Sequence, residues 1–497
     1  RSERERRAKP IEFDDIYAIL EDTSKGTPLE WGERYRTNPA YETYVTAPLG
    51  ARGATATAAR AAAGEDKARP PAPKRVSAWR QFRILSSRNL KILTRDRFSL
   101  ILMLALPPLI AMIDVIISIF LSRTPFDFVE GSINDVGITL FMLTVYGVMV
   151  GGMAQMREIA KENDVYRRER LVNLQIFPYV LSKFWVAAIL ALYQAIWYIG
   201  IHYLAFEMPG GITEFMLIYV TLTLATMAGM VLGLFSSAVS PTANAVPLIL
   251  ILFLLPQFVL GGALVPVPDY VSAPTSTRWA FEALMAISGA GSDVAADACW
   301  ALPPELRDSM SLEDREEQCN CMGPNMLDED SCQFPGLGAF YNEAIDQTAP
   351  DEPPPFRDPP PEPEVPPPPP EPEDQSDAVA VADYLKSLEE YQTTVEGIQA
   401  DYKAALETYQ AEAEIYQAEY IAYQEELIGW QIDRSKAVEP AEATIELFDE
   451  KFGWTYVDKN DTQTYYAKVV RTWIGQLAII TVLFIGILLV QKRKDAV

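Results

Sequence analysis

The sequence predicts an α-helical integral membrane protein with six transmembrane helices and an interfacial elbow helix, plus a large extracellular insertion containing a long coiled-coil helix. Three observations predict it. Several apolar stretches reach 20 residues or more, the length that crosses about 30 Å of hydrocarbon. Lys and Arg gather at alternate ends of those stretches, which orients them. Between the fifth and sixth stretches runs a polar, acidic segment, from about 267 to 470.

Asp and Glu number 67 among 497 residues, against 42 Lys and Arg, for a formal net charge of −25. Residues 351–450 hold 26 Asp and Glu against 5 Lys and Arg, so they carry 21 of those charges. No basic stripe exists to meet a phosphate backbone, which excludes nucleic acid as a partner. The chain opens at Arg1 rather than Met and without an apolar signal stretch, as expected of a sequence missing an upstream portion.

Along residues 76–97, Trp79, Phe82, Leu85, Leu90 and Leu93 alternate with basic residues at helical spacing. An elbow helix lying in the cytoplasmic interface fits that pattern, as does a soluble helix docked on another domain. The apolar spans follow at about 98–121, 133–153, 180–206, 212–239 and 244–265, with a sixth at about 472–490. Pro107-Pro108 interrupt the first, where neighbouring helices in lipid tolerate a kink. Basic clusters precede span one (Arg80 to Arg97), lie between spans two and three (Arg157 to Lys183) and follow span six (Lys492 to Lys494). Six crossings put all three on the cytoplasmic side. The stretch from Arg157 to Arg170 packs nine charged groups of both signs between two apolar runs. It is either a solvated turn or the place where something outside the membrane pushes on the membrane part.

Residues 267–348 hold all four cysteines, Cys299, Cys319, Cys321 and Cys332. Outside the cell they should be oxidised. Cys319 and Cys321 are too close to bond each other without strain, so Cys299 and Cys332 are expected as the two outer partners. A zinc site is the rival, but the only histidine, His202, is in span three. Residues 349–376 form a Pro- and Glu-rich spacer, stiff and extended as polyproline. A helix is predicted over 377–434. Its apolar positions Tyr384, Leu388, Tyr391, Val395, Ile398 and Tyr402 step by four and three, and the series resumes from Leu406 to Trp430. One stutter interrupts this heptad seam, whose partner is a second copy or another helix of the same domain. A return segment, 435–470, leads to residues 471–497, the last span and a basic tail.

Ionisable groups inside spans are costly and so are functional suspects. Asp114 lies deep in span one, a candidate for lining a path or pairing across the bundle; His202 and Glu207 lie towards the outer end of span three, with His202 read as interfacial. Gln257, Phe258, Leu260, Gly261 and Gly262 end span five, as a candidate gate or as plain helix packing. No catalytic residue and no metal set stands out.

These pieces resemble the type 2 ABC exporter permeases, which include the G-subfamily transporters and bacterial relatives that carry forkhead-associated domains. The resemblance rests on Arg157-Glu158, Lys161-Glu162, Tyr166 to Arg170 and Pro178 to Lys183. Arg95 to Arg97, Pro256-Gln257, Gly261 to Ala263, Pro266, Arg278 to Leu284 and Gly453-Trp454 add to it. It implies that the loop 154–178 couples to an ATPase through Tyr166, Arg168, Glu169 and Arg170, with Glu169 locked to Arg168 or Arg170. It also implies that residues 1–50, with Ile16-Tyr17, Trp31, Tyr35 and Tyr41 to Val45, are a connector following an upstream nucleotide-binding domain, and 51–75 a flexible linker. The sequence holds no Gly-x-x-x-x-Gly-Lys-Ser/Thr loop, so ATP and Mg are expected at that associated ATPase domain, upstream or on a partner.

On this reading the chain is the membrane-spanning part of an ATP-driven exporter of an amphipathic or lipid-like substrate. The resemblance implies a homodimer in a bacterial plasma membrane, and the charge pattern puts both ends in the cytoplasm. An ABC-type mechanical transmitter acting on an envelope partner through the coiled coil is the alternative, and a static membrane-anchored scaffold is a third reading.

Overall fold

A computed structural model describes residues 19–20, 22, 24–49, 76–121, 123–206, 208–265, 267–373 and 377–495. Ile16, Tyr17, Glu207, Pro266 and the linker 51–75 lie outside the described residues. The chain divides into two units, residues 1–75 and 76–497. In the first, helix α1 (Pro28–Arg36) opens on a capping box, in which Glu30 N–H donates to Thr27 Oγ1 and Thr27 N–H donates to Glu30 Oε2. Two of the amides that every helix start leaves unpaired are thereby satisfied.

The second unit contains no β-strand among its described residues. Its long helices are α2 (Ala78–Arg95), α3 (Arg97–Leu121), α4 (Ile133–Gln155), α5 (Asn163–Leu171), α6 (Ile176–Ala205), α7 (Ile212–Val239), α8 (Val246–Val259), α9 (Ser276–Ser288), α10 (Ala378–Phe452) and α11 (Thr462–Lys494). Among the described residues, five helical stretches, beginning at Arg97, Ile133, Ile176, Ile212 and Thr462, are long and apolar enough to cross a membrane. The fifth predicted span differs. Its helix α8 has 14 residues, about 21 Å of rise, because the chain leaves the helix at Leu260 and turns through Gly261-Gly262.

Gly262 has φ +88°, and a Cβ there would stand 2.7 Å from the Trp454 ring, so the turn requires glycine. Beyond it, α9 returns to pack against α4, α7 and α11. Every residue of α9 except Trp279 is buried. The sequence reading groups these residues with the Cys-containing segment; here they complete the helical core.

Helices α4 and α7 touch backbone to backbone. A Cβ on Gly229 would lie 2.2 Å from Val148 O, and one on Gly233 would lie 2.3 Å from Gly152 O. In hydrocarbon no hydrophobic force drives helices together, so close approach through small residues supplies the packing.

In the acidic segment the disulfides are Cys299–Cys319 and Cys321–Cys332, each joining an inner cysteine to an outer one as the spacing requires. The Asp297 carboxylate ties both arms together, accepting from the N–H groups of Cys299, Asn320 and Cys321 at 2.7–3.0 Å. Helix α10 runs 75 residues, about 110 Å, well past the predicted end at 434 and straight through Pro440. It continues because Ala437, Val438, Ala441, Ile445 and Phe452 bury completely or nearly so against the rest of the unit, which outweighs the backbone bond lost to proline.

Within this chain the tyrosine seam of α10 packs against the Pro-rich strand. The Pro-rich strand runs back along it: Phe356 sits 5.2 Å from Tyr409 and 5.1 Å from Tyr416, ring to ring, and Arg357 pairs with Glu412. Trp430 Nε1 donates to Gln347 O at 2.9 Å. As strand numbers rise, helix numbers fall, so the two are antiparallel. The lengths agree: from Phe356 to Pro372, polyproline at about 3.1 Å per residue spans about 50 Å. The 34 helical residues from Glu412 back to Ala378, at about 1.5 Å each, span about 51 Å. The seam's predicted positions are half-buried by this strand, Tyr420 excepted.

Candidate functional site

The charge-dense stretch folds as a short 3-10 turn, Ala160–Glu162, followed by α5. Tyr166 is the one buried residue of α5 and packs against Tyr179 of α6, ring centroids 4.8 Å apart and planes tilted by 42°. That contact fixes the rotation of a nine-residue helix too short to hold itself together. Asn173, at φ +82°, reverses the chain so that α6 begins at Ile176.

The charges then fasten α5 on every side. Glu169 pairs with Arg88 of α2 at 2.5 Å, not with Arg168 or Arg170 as the sequence reading has it. The reason is geometric: residues one apart on a helix point in different directions, whereas α2 lies alongside. Arg170 reaches Asp495, just past the end of α11, at 2.7 Å, and Tyr166 Oη donates to the same carboxylate at 3.4 Å. Arg88 also stands 3.9 Å from Glu162, whose carboxylate meets the Lys183 ammonium at 2.9 Å. Lys183 is 2% exposed, so this last pair is the one with little solvent screening. From α7, Ser237 Oγ accepts from the N–H groups of Ile159 and Ala160 at 3.1 and 2.9 Å. Gln81 of α2 bridges the turn, accepting from Gln175 N–H and donating to Asn173 O.

Of the residues predicted to couple, Tyr166, Glu169 and Arg170 converge in this clasp. Arg168 instead lines a cavity between α2 and α5, shared with Val76, Ile84, Val165 and Val172. Sequence reasoning missed Arg88, Asp495, Ser237 and Gln81. Arg88 was visible only as one charge of a basic run. Nothing in one chain points Arg170 at a residue 325 positions later.

The remaining suspects fall elsewhere. His202 is fully buried among the helices. Its Nε2 stands 3.1 Å from Asp114 Oδ2, and its Nδ1 is 2.9 Å from Tyr198 O. Tyr146 Oη donates to Asp114 Oδ1 at 3.0 Å. Asp114 thus pairs across the bundle, tying α3 to α4 and α6. Gln257 Oε1 accepts from the N–H groups of Ser276 and Thr277, capping the start of α9. A Cβ on Gly261 would lie 2.4 Å from the Phe141 ring, and Phe258 is 5.9 Å from that ring. Gln257, Phe258 and Gly261 therefore pack the turn between α8 and α9, while Leu260 is half-buried at its edge.

Residues 80–287 match the ABC-2 type transporter family. That stretch is an ABC-2 type transporter membrane domain. It begins in α2 and ends in α9, so it takes in the whole clasp apart from Asp495. An ABC transporter ATP-binding/permease protein of Mycobacterium tuberculosis (strain ATCC 25618 / H37Rv) is 25% identical over 227 residues, 42% of this chain and 26% of that relative. The chain therefore spans about a quarter of the relative it matches. The ABC-2 domain is multi-pass and membrane-embedded, and its family works with a nucleotide-binding ATPase partner. The acidic hairpin lies outside the ABC-2 match.

Proposed function

We propose that the chain is the membrane half of an ATP-driven exporter that moves an amphipathic or lipid-like molecule. It works as a homodimer with a cytoplasmic ATPase that binds ATP and Mg. In this reading there are six crossings with both ends cytoplasmic, α2 lies in the interface as the elbow, and the Cys-containing segment and hairpin lie outside the cell. The carrying observation is the clasp, in which one short helix is ion-paired to α2 through Glu169 and to the end of α11 through Arg170. Its tip offers Leu171 and Val172, 89% and 81% exposed, an apolar surface suited to a soluble partner. A push on α5 is thereby delivered to several membrane helices at once.

The test is Glu169→Ala in the full chain, reconstituted with its ATPase in vesicles. Transport of a fluorescent phospholipid per ATP hydrolysed should fall about fivefold, the worth of one partly exposed ion pair. Part of it should return in the swap Arg88→Glu with Glu169→Arg. Unchanged coupling in Glu169→Ala refutes the clasp.

One observation favours a mechanical transmitter as the second reading. The base of α10 stands on α4: Lys451 Nζ donates to Asn134 Oδ1 at 2.8 Å, and a Cβ on Gly137 would lie 2.7 Å from the Phe452 ring. Tilting α4 then swings a rod about 110 Å long. Shortening the hairpin by deleting residues 354–425 separates the two, since an exporter keeps its transport and a transmitter loses all function.

A further inference from the structure

We infer that the ABC-2 membrane domain carries a binding site for the headgroup of a zwitterionic phospholipid, in a cavity of about 400 Å³ between α2, α3, α4 and α6. The inference rests on the exporter reading and deepens it, by naming the class of amphiphile that meets the protein beside the clasp. One wall is apolar, formed by Leu93, Leu102, Met103, Met153 and Val186. The rest of the lining is charged and of both signs: Glu158 pairs with Lys161 and Lys183, Glu162 pairs with Lys183, and Asp96 and Arg157 add one charge of each sign.

A cavity with one oily wall and one wall of paired charges matches a molecule with acyl chains at one end and both an ammonium and a phosphate at the other. Polar atoms lining the cavity await partners. Asn89 is 9% exposed and gives its amide N–H to Ser182, while its Oδ1 is buried without a hydrogen bond. Lys183 Nζ and Glu162 Oε2 meet at ion-pair distance, yet neither has an aligned hydrogen bond. Buried groups in that condition cost stability unless something else completes them. Arg157 lines the cavity and is exposed. The geometry therefore assigns the lipid ammonium to Asn89 Oδ1 and Glu162 Oε2, the two acceptors without a hydrogen bond, and its phosphate to Arg157, with the chains against Leu102 and Met103.

The site is wired to the clasp. Glu162 stands against Arg88, and Arg88 against Glu169. A headgroup ammonium at Glu162 competes with Arg88 and shifts it toward Glu169, so occupancy of the cavity tightens the hold on α5.

The test uses the full chain in vesicles of equal phosphatidylethanolamine and phosphatidylglycerol, with p-benzoylphenylalanine placed at Met103. Mass spectrometry of the photoproducts should show the ethanolamine lipid in about fivefold excess, the factor expected of one partly buried charge pair. A probe at Phe120, 83% exposed at the far end of α3, should show none. Glu162→Gln should abolish the excess. Because that change leaves Lys183 short of a partner, Met153→Trp is the second variant. It fills the mouth without touching a charge and should remove both adducts. Equal adducts at Met103 and Phe120, or no response to Met153→Trp, overturn the site. Photocrosslinking needs no ATP, so a protein that exports nothing still reports the lipid. Export without an ethanolamine excess sinks the headgroup site and leaves the exporter reading standing.

Discussion

Phe356 is the residue that pins the Pro-rich strand to α10, and its removal measures what the hairpin is worth. Its ring lies between Tyr409 and Tyr416 at 5.2 and 5.1 Å. Two such aromatic contacts contribute about 0.5–1.5 kcal/mol each beyond area burial. The half-buried ring adds roughly half of the 3–5 kcal/mol that Phe→Ala costs in a full core. The strand relaxes onto the smaller side chain, so a net loss of about 2–3 kcal/mol is expected, a factor of roughly 30–150 in the opening equilibrium. Hydrogen exchange of Phe356→Ala in the full protein reads it directly. Amides of residues 402–423 should exchange faster by that factor, while those of the disulfide segment stay unchanged. Ile428→Ala is the control, since Ile428 is 53% exposed and off the seam. Exchange within about threefold of the unaltered protein would refute the reasoning, because about 0.65 kcal/mol is then all the contact supplies. Protection that instead rises with protein concentration would mean that a second copy covers the seam.

Three further outcomes follow from the geometry. Gly229→Leu drives a side chain into Val148, 2.2 Å from where a Cβ would stand; α4 and α7 should separate, with folded protein lost in a detergent thermal scan. Asp114→Leu strands His202 and the Tyr146 hydroxyl, at a cost of about 3–5 kcal/mol for a broken buried pair; the double change with His202→Leu should recover most of it in an unfolding titration. Burial holds the Asp449 carboxyl above its usual range, with Glu446 adding to the rise and Arg307 opposing it. The folded base of α10 thus binds that proton more tightly than the unfolded chain does, and stability falls as pH rises from the ordinary carboxylate value through the raised one. Asp449→Asn should therefore raise the melting temperature at pH 7 and leave it unchanged below pH 4, by calorimetry.

The long helices were legible because hydropathy and length are properties of a single segment. Arg97–Leu121 and Ile212–Val239 lie within a residue of their predicted ends. Where two segments compete, the sequence was silent. Span five was read to 265, but Phe141 and Trp454 crowd the glycines that turn it at 261–262, and neither is near them in sequence. The heptad seam announced a partner for α10 without naming it, since a polyproline strand and a second helix both present apolar ridges to a tyrosine stripe. The coupling residues were visible as charge density. Their pairing was not, because Arg88 is one of several cations in its run, and nothing near Asp495, the lone acid after Lys492 to Lys494, points it at Arg170, 325 positions earlier.

The pairing of a polyproline strand with an α-helix makes the rod of fixed gauge. Strand residues advance about twice as far as helical ones, so each residue added to the strand leaves about two helical residues to be matched. A three-residue insertion in 357–372 alone bulges the strand off the helix, and only a companion insertion of about six residues in α10 lets both reach the tip together. Length can therefore change in this family of shapes only by paired steps, one turn of proline helix against nearly two turns of α-helix. A natural variant with a longer or shorter rod should carry both changes at once.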